Sequence, residues 1–165
     1  DTKKTSYKKI VLKKKSLKKT IYFNGKKQRY SLVLFVNNKA VKAEKIKWKS
    51  SKRTIVSVSK NGKLTVKKAG KVTITASYKG KRYKYNLVIK KVQLKLKKKS
   101  ITIKKGKAAQ IKSVASPKGK IQYKSLDTKT ASVTKKGKVV GKKKGKTKIR
   151  VSCNGLVRYC KVTVK

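Results

Sequence analysis

The stretch IKWKSSKRTIVSVSKNGKLTVKKAGKVTITASYKG, residues 46–80, decides the fold because the chain repeats it. Sliding the sequence by 75 residues aligns 46–90 with 121–165 without a gap, and 16 of 45 positions are identical. Seven of these are Lys matches, cheap in a chain with 54 basic residues. The other nine carry the argument: Ile46/Ile121, Ser50/Ser125, Ser57/Ser132, Val58/Val133, Gly62/Gly137, Gly70/Gly145, Ile74/Ile149, Ser77/Ser152 and Gly80/Gly155. Trp48 is matched by Tyr123 and Val56 by Ala131. Upstream the copies agree more loosely, KKKSL at 13–17 against KKKSI at 97–101, and the first copy carries extra residues around 37–44. A period of this length indicates repeated structural units.

Within each copy the pattern is that of short strands. KVTITAS sets Val72, Ile74 and Ala76 on one face and Thr or Ser on the other, and YKYNLVIK does the same with Tyr83, Tyr85, Leu87 and Ile89. Gly62, Gly70 and Gly80 fall between such runs, where turns need positive φ. No segment has a helical period. Regular short strands with turn signals every 8–12 residues predict an all-β chain of two tandem β-sandwich domains joined end to end, 1–91 and 92–165. With only Lys90 and Lys91 as spacer before VQLKL, an elongated, monomeric rod within a longer protein is expected.

These motifs resemble the bacterial immunoglobulin-like domain of group 2, the intimin/invasin-related family of adhesins and secreted bacterial proteins. The family pattern of tryptophan-polar-serine-serine, a short valine strand, a glycine-lysine-valine turn, an alanine-glycine turn and a closing strand falls on Trp48 to Ser51, Val56 to Val58, Gly62 to Leu64, Ala69–Gly70 and Val72 to Ala76. The second copy keeps Tyr123 to Ser125, Ala131 to Val133, Gly137 to Val139, Gly145 and Ile149 to Val151, and departs at Leu126, Asp127 and Lys144. The resemblance implies that the two are tandem Ig-like β-sandwich domains, and it implies an extracellular or cell-surface place on a bacterium. It leaves the ligand open, since members serve as spacers, stalks and binding modules.

The charge is the second strong signal. The chain has 54 Lys and Arg against 3 acids, Asp1, Glu44 and Asp127, for a net charge of +51. Only Arg29, Arg53, Arg82, Arg150 and Arg158 are arginines. Lysine is a flexible point charge, whereas Arg offers the planar fork that reads guanine or a single phosphate. The composition therefore points to diffuse attraction of polyanions: teichoic acid of the cell wall, extracellular DNA or acidic glycans. The densest clusters are Lys13, Lys14 and Lys15; Lys67, Lys68 and Lys71; Lys97, Lys98 and Lys99; and Lys142, Lys143, Lys144 with Lys146. Outward aromatics for stacking nucleic-acid bases are few, with Tyr7, Tyr22 and Tyr159 the candidates. The alternative is a structural stalk or spacer of a larger surface protein, its lysines coating the rod without a ligand.

Catalysis is not expected, nor is a cofactor. The chain has no His, and its three acids are dispersed. VVGKKKGKTKI, residues 139–149, looks like a phosphate-binding loop, but three residues separate Gly141 from Gly145 where four are needed, and the next segment alternates as a strand. The serine-x-x-lysine pairs Ser16/Lys19 and Ser57/Lys60 are expected by chance at this lysine content. Cys153 and Cys160 flank NGLVRY in the inward phase of the last hairpin and align with Tyr78 and Tyr85. Directly opposed positions would allow a disulfide, with two buried thiols as the alternative; no metal site is expected, for want of further ligands. The chain has no apolar run of 18 residues to span a membrane, and DTKKTSYKK at its start does not read as a signal peptide.

Overall fold

In a computed structural model, which describes residues 7–26 and 28–165, the chain divides after Lys91 into two compact units. In the first, β1 (Lys8–Leu12), β3 (Gln28–Val36), β7 (Lys63–Val66) and β6 (Val56–Val58) form one sheet in the order β1-β3-β7-β6. The second sheet runs β2-β9-β8-β5, from β2 (Ser16–Phe23), β9 (Lys81–Lys91), β8 (Gly70–Tyr78) and β5 (Lys47–Ser50). The two-residue β4 (Lys39–Ala40) pairs with the end of β3.

The alternation read in the sequence becomes the core. Val72, Ile74 and Ala76 of β8 and Tyr85, Leu87 and Ile89 of β9 are buried against Ile10, Leu12, Leu32, Leu34, Val56 and Leu64 of the facing sheet. Tyr85 is fully buried, and its hydroxyl donates to the Val33 carbonyl of β3 at 3.0 Å, tying sheet to sheet through a backbone group. Burial pushes its phenol far above the usual tyrosine range. The Trp48 ring lies 6.0 Å from that of Tyr85, and Trp48 Nε1 donates to the Ala43 carbonyl at 3.1 Å. Ala43 belongs to a single 3-10 turn, Ala43–Lys45.

The second unit repeats the plan with shorter strands. β11 (Ser100–Ile103), β18 (Leu156–Val164), β17 (Gly145–Cys153) and β14 (Gln122–Ser125) form a four-stranded sheet in the order β11-β18-β17-β14. β12 (Ala108–Gln110), β16 (Lys138–Gly141) and β15 (Ala131–Val133) form a three-stranded sheet, and β10 (Gln93–Leu96) pairs with β13 (Ser113–Ser116). Ile149, Val151, Val162 and Val164 occupy the core positions of Ile74, Ala76, Leu87 and Ile89. One difference is plain: β1 runs parallel to β3, whereas β10 runs antiparallel to β13. Among the described residues, no helix is long and apolar enough to cross a membrane.

One turn shows why the repeat is so legible. Gly62 adopts φ +67, and its carbonyl accepts from Leu32 N–H; Gly137 adopts φ +82, and its carbonyl accepts from Ile111 N–H. A Cβ at Gly62 would sit 2.9 Å from Trp48 Cζ2, and one at Gly137 would sit 2.8 Å from Tyr123 Cζ. The aromatic position and the glycine are thus one packing unit, preserved together in both copies. Gly80 has a similar φ of +70 with open space around it. Gly62→Ala should therefore cost more than Gly80→Ala, roughly 2–3 against about 1 kcal/mol by urea unfolding. Equal costs would show that the aromatic contact contributes nothing.

Candidate functional site

Strand alternation that buries one face must expose the other, and here the exposed positions are mostly Lys. On the outer face of the first unit's β2-β9-β8-β5 sheet, Lys49, Thr75, Lys84 and Ser16 stand in register across all four strands. The rows beyond carry Thr73, Asn86 and Lys18, then Lys71, Val88 and Thr20. The second unit does the same with Lys124, Arg150 and Tyr159; Lys148, Lys161 and Ser100; and Lys146, Thr163 and Thr102. A two-residue step of about 6.7 Å and a strand spacing of about 4.8 Å hold these cations at a spacing close to the screening length of physiological salt, near 8 Å.

All thirteen clustered lysines singled out in the sequence are exposed. Lys13, Lys14 and Lys15 occupy the β1–β2 link and Lys67 and Lys68 the β7–β8 turn, with Lys71 at the start of β8. Lys97, Lys98 and Lys99 fill the β10–β11 link, Lys142, Lys143 and Lys144 the β16–β17 turn, and Lys146 lies on β17. Within the first unit they do not converge on one patch. The Lys15 carbonyl accepts from Lys84 N–H, whereas Lys71 stands opposite Val88, four residues or about 13 Å further along β9. In the second unit the spacing is tighter: the Lys99 carbonyl accepts from Lys161 N–H, and Lys146 faces Thr163 two residues on.

The phosphate-loop likeness has a structural answer. Lys142 and Lys143 N–H both donate to the Thr130 carbonyl, at 2.9 and 3.2 Å, as Lys67 and Lys68 N–H both donate to Ile55 at 2.9 and 3.4 Å. These amides are spent inside the sandwich and are not free to bind a phosphate, and Gly145 opens a strand where a phosphate loop would lead into a helix. Asp127 is equally committed to local structure. Asp127 accepts from Lys129 N–H at 2.9 Å and from the Thr130 hydroxyl at 2.6 Å, and those bonds, the Thr130 one foremost, hold its carboxyl below the usual range. Among the described residues no group of His, Cys, Asp and Glu is placed to hold a metal ion.

Of the outward aromatics, Tyr159 is 50% exposed beside Arg150. Tyr7 is half-buried with Lys63 Nζ 4.8 Å from its ring centre, and Tyr22 is half-buried on β2.

The cysteine expectation needs correction. Cys153 and Cys160 are both buried, as their phase required, but they are free thiols and not cross-strand partners. The register sets Cys153 opposite Leu156 and Cys160 opposite Ile149. The reason is the two-residue turn Asn154–Gly155, at φ 52 and 78, which closes the hairpin immediately after Cys153. Cys160 then lies four residues beyond Cys153's partner, about 13 Å along the strand and far outside disulfide reach. The aligned Tyr78 and Tyr85 are likewise unpaired with each other, facing Lys81 and Ile74. Burial raises the Cys160 thiol above its ordinary pKa, which lowers its reactivity.

Comparison with known proteins agrees with the fold. A family model described as bacterial Ig-like domain (group 2) matches residues 7–84 and 92–157. No curated protein matches the chain. Among solved structures, the C-terminal 282-residue fragment of intimin, in complex with the intimin-binding domain of the translocated intimin receptor, is 18% identical with a TM-score of 0.51, covering 84% of this chain and 58% of that one. Domains 1–6 of the surface layer protein SbsC are 18% identical with a TM-score of 0.43, over 78% of this chain and 21% of that one. The chain thus spans about a fifth of the SbsC chain.

Two outcomes follow from this geometry. Both thiols should resist Ellman's reagent in the native protein and react fully in denaturant, and a reducing agent should leave the Tm unchanged; a reductant-sensitive Tm would restore the disulfide. Raising NaCl from about 0.01 M to about 1 M shrinks the screening length from roughly 30 to roughly 3 Å, so the Tm should climb. A flat profile would mean that the lysine coat exerts no net self-repulsion.

Proposed function

We propose that this chain, which belongs to the bacterial Ig-like domain (group 2) family, is a non-catalytic module of a secreted or cell-surface bacterial protein that holds anionic polymers through its lysine coat. The observation that carries the reading is the disposition of charge. The turn lysines Lys13, Lys67, Lys97 and Lys142 with their neighbours, and the sheet-face lysines Lys49, Lys84, Lys148 and Lys161, all stand on the outside, with Glu44 and Asp127 the acids among the described residues. Such a surface is costly to keep compact unless counterions or a polyanion neutralise it. Cell-wall teichoic acid, extracellular DNA and acidic glycans supply the needed charge. Each lysine that neutralises a phosphate or sulfate releases condensed counterions, so affinity comes from electrostatics and falls steeply with salt.

The second reading is a stalk or spacer with no ligand of its own, in a longer protein that displays another domain. What favours it is the repeat: both units conserve their framework turn, with Gly62 against Trp48 and Gly137 against Tyr123, while their surfaces differ apart from the lysines. Intimin, whose fragment shares the fold, is seen bound to a protein receptor, so a protein partner is the outcome to watch for in any binding screen.

Binding of a labelled DNA duplex and of teichoic acid across a salt series separates the two. The polyanion reading expects log K to fall linearly with log salt at about 0.9 per phosphate engaged, so that six to ten contacts lose roughly 10³–10⁵ in affinity between about 50 and 200 mM. Replacing Lys142, Lys143, Lys144 and Lys146 by Gln should lower that slope. Absence of binding to either polymer at physiological salt would leave the stalk.

A further inference from the structure

The extra residues of the first copy build something its sister lacks. After β3 the chain reverses through Asn37 and Asn38, both at positive φ (49 and 59), runs back as β4, and enters the 3-10 turn. The insert is held firmly: Val41 N–H donates to the Leu34 carbonyl at 2.8 Å, and Trp48 Nε1 grips Ala43. Facing it is the β8–β9 hairpin tip, Lys79–Gly80. Between them lies a concavity of about 570 Å³, a size suited to small ligands. Lys39, Lys42, Lys45, Lys79 and Lys81 line it, with Tyr78 and Tyr83 half-buried in its wall, and no carboxylate is among the lining residues.

Lys79 is the telling residue. It sits at φ 46, a left-handed conformation that favours Gly, Asn or Asp, and the equivalent position in the second unit is Asn154 at φ 52. The first unit thus holds a lysine where the backbone disfavours it, and strain of this kind gathers at functional sites. Its ammonium lies 5.6 Å from the centre of the Tyr78 ring, at the rim of the concavity. At the same end of the unit, Lys13 Nζ lies 5.5 Å from the centre of the Phe35 ring.

We propose that this concavity is a binding site for an acidic saccharide, a sugar residue bearing sulfate or phosphate, taken from the end or side of a longer chain. The ammonium groups meet the anionic substituent, and the tyrosines offer hydroxyls and ring edges to the sugar. A DNA duplex is a convex cylinder and cannot enter. A single-stranded base would need an open aromatic face, and Lys79 already occupies that of Tyr78. The assignment rests on the polyanion reading and adds a shaped subsite to a diffuse coat.

The test is titration calorimetry of the full chain at physiological salt with a heparin-derived tetrasaccharide. Three further probes are long heparin, a glycerol-phosphate oligomer of matched charge and an oligothymidylate. Lys79→Asn combined with Lys42→Gln should weaken tetrasaccharide binding roughly tenfold or more, as expected for losing charge-assisted bonds. Lys79→Asn alone should leave the Tm equal or higher, because Asn suits the turn, so lost binding cannot be ascribed to misfolding. Lys52→Gln with Lys60→Gln, exposed lysines that remove as much charge outside the concavity, should change affinity about twofold or less. Equal losses in both pairs, or tetrasaccharide binding no tighter than that of the glycerol-phosphate or thymidylate oligomers, would overturn the subsite and leave the coat. Failure of the wild-type chain to bind long heparin would remove the polyanion reading itself.

Discussion

The structure depends on strict two-residue alternation along the central hairpins, β8–β9 and β17–β18. A chain with 54 cations can form a core only if every ammonium is kept out of it, and a β-strand does this by geometry, since successive side chains leave opposite faces. A helix of this composition would spread lysines around most of its circumference. In the strand, Lys71, Thr73 and Thr75 go to water while Val72, Ile74 and Ala76 meet Leu87, Tyr85 and Tyr83. Among the buried polar groups, the Tyr85 hydroxyl reaches the Val33 carbonyl and the Ser125 hydroxyl the Ala131 carbonyl at 2.6 Å. Sheet-to-sheet cohesion therefore owes little to charge, and charge is left free to act outward.

How much of this was legible in the sequence follows from which interactions are local. Inward and outward phases were readable, because period two is a property of consecutive residues. The framework turns were readable because Gly62 and Gly137 answer to Trp48 and Tyr123 at the same offset in both copies. The Lys142–Lys146 turn was also readable through its alignment with Lys67–Lys71. The cysteine pairing is not legible from phase alone, because two residues that face the same way need not face each other. Register is set at the turn, and the Asn154–Gly155 pair, the strongest short hairpin signal, was present and would have placed Cys153 against Leu156. The insert at 37–44 was visible as extra residues, but that it folds back opposite Lys79 to make a concavity requires contacts between segments far apart in sequence.

The same residues serve electrostatics at two ranges. Lysines on the sheet faces and turns stand about one screening length apart, so each unit presents a field that any polyanion feels, whatever its detailed shape. At the hairpin end of the first unit, the insert converts part of that field into a recess with two tyrosines and a constrained lysine. A general attraction with one shaped point on it would let a long anionic chain be held loosely along its length and gripped at one residue. The second unit has Asn154 in place of Lys79 and lacks the insert that forms this recess.

Residue-resolved NMR of the full chain titrated with a long sulfated glycan would test the central claim, that affinity resides in the outward-facing lysines. The account predicts shift changes at the outward positions of β8, β9, β17 and β18 and at the lysine turns, sensitive to salt, with Ile74, Leu87, Ile149 and Val162 unmoved. Changes centred on core positions, or none at physiological salt, would contradict it.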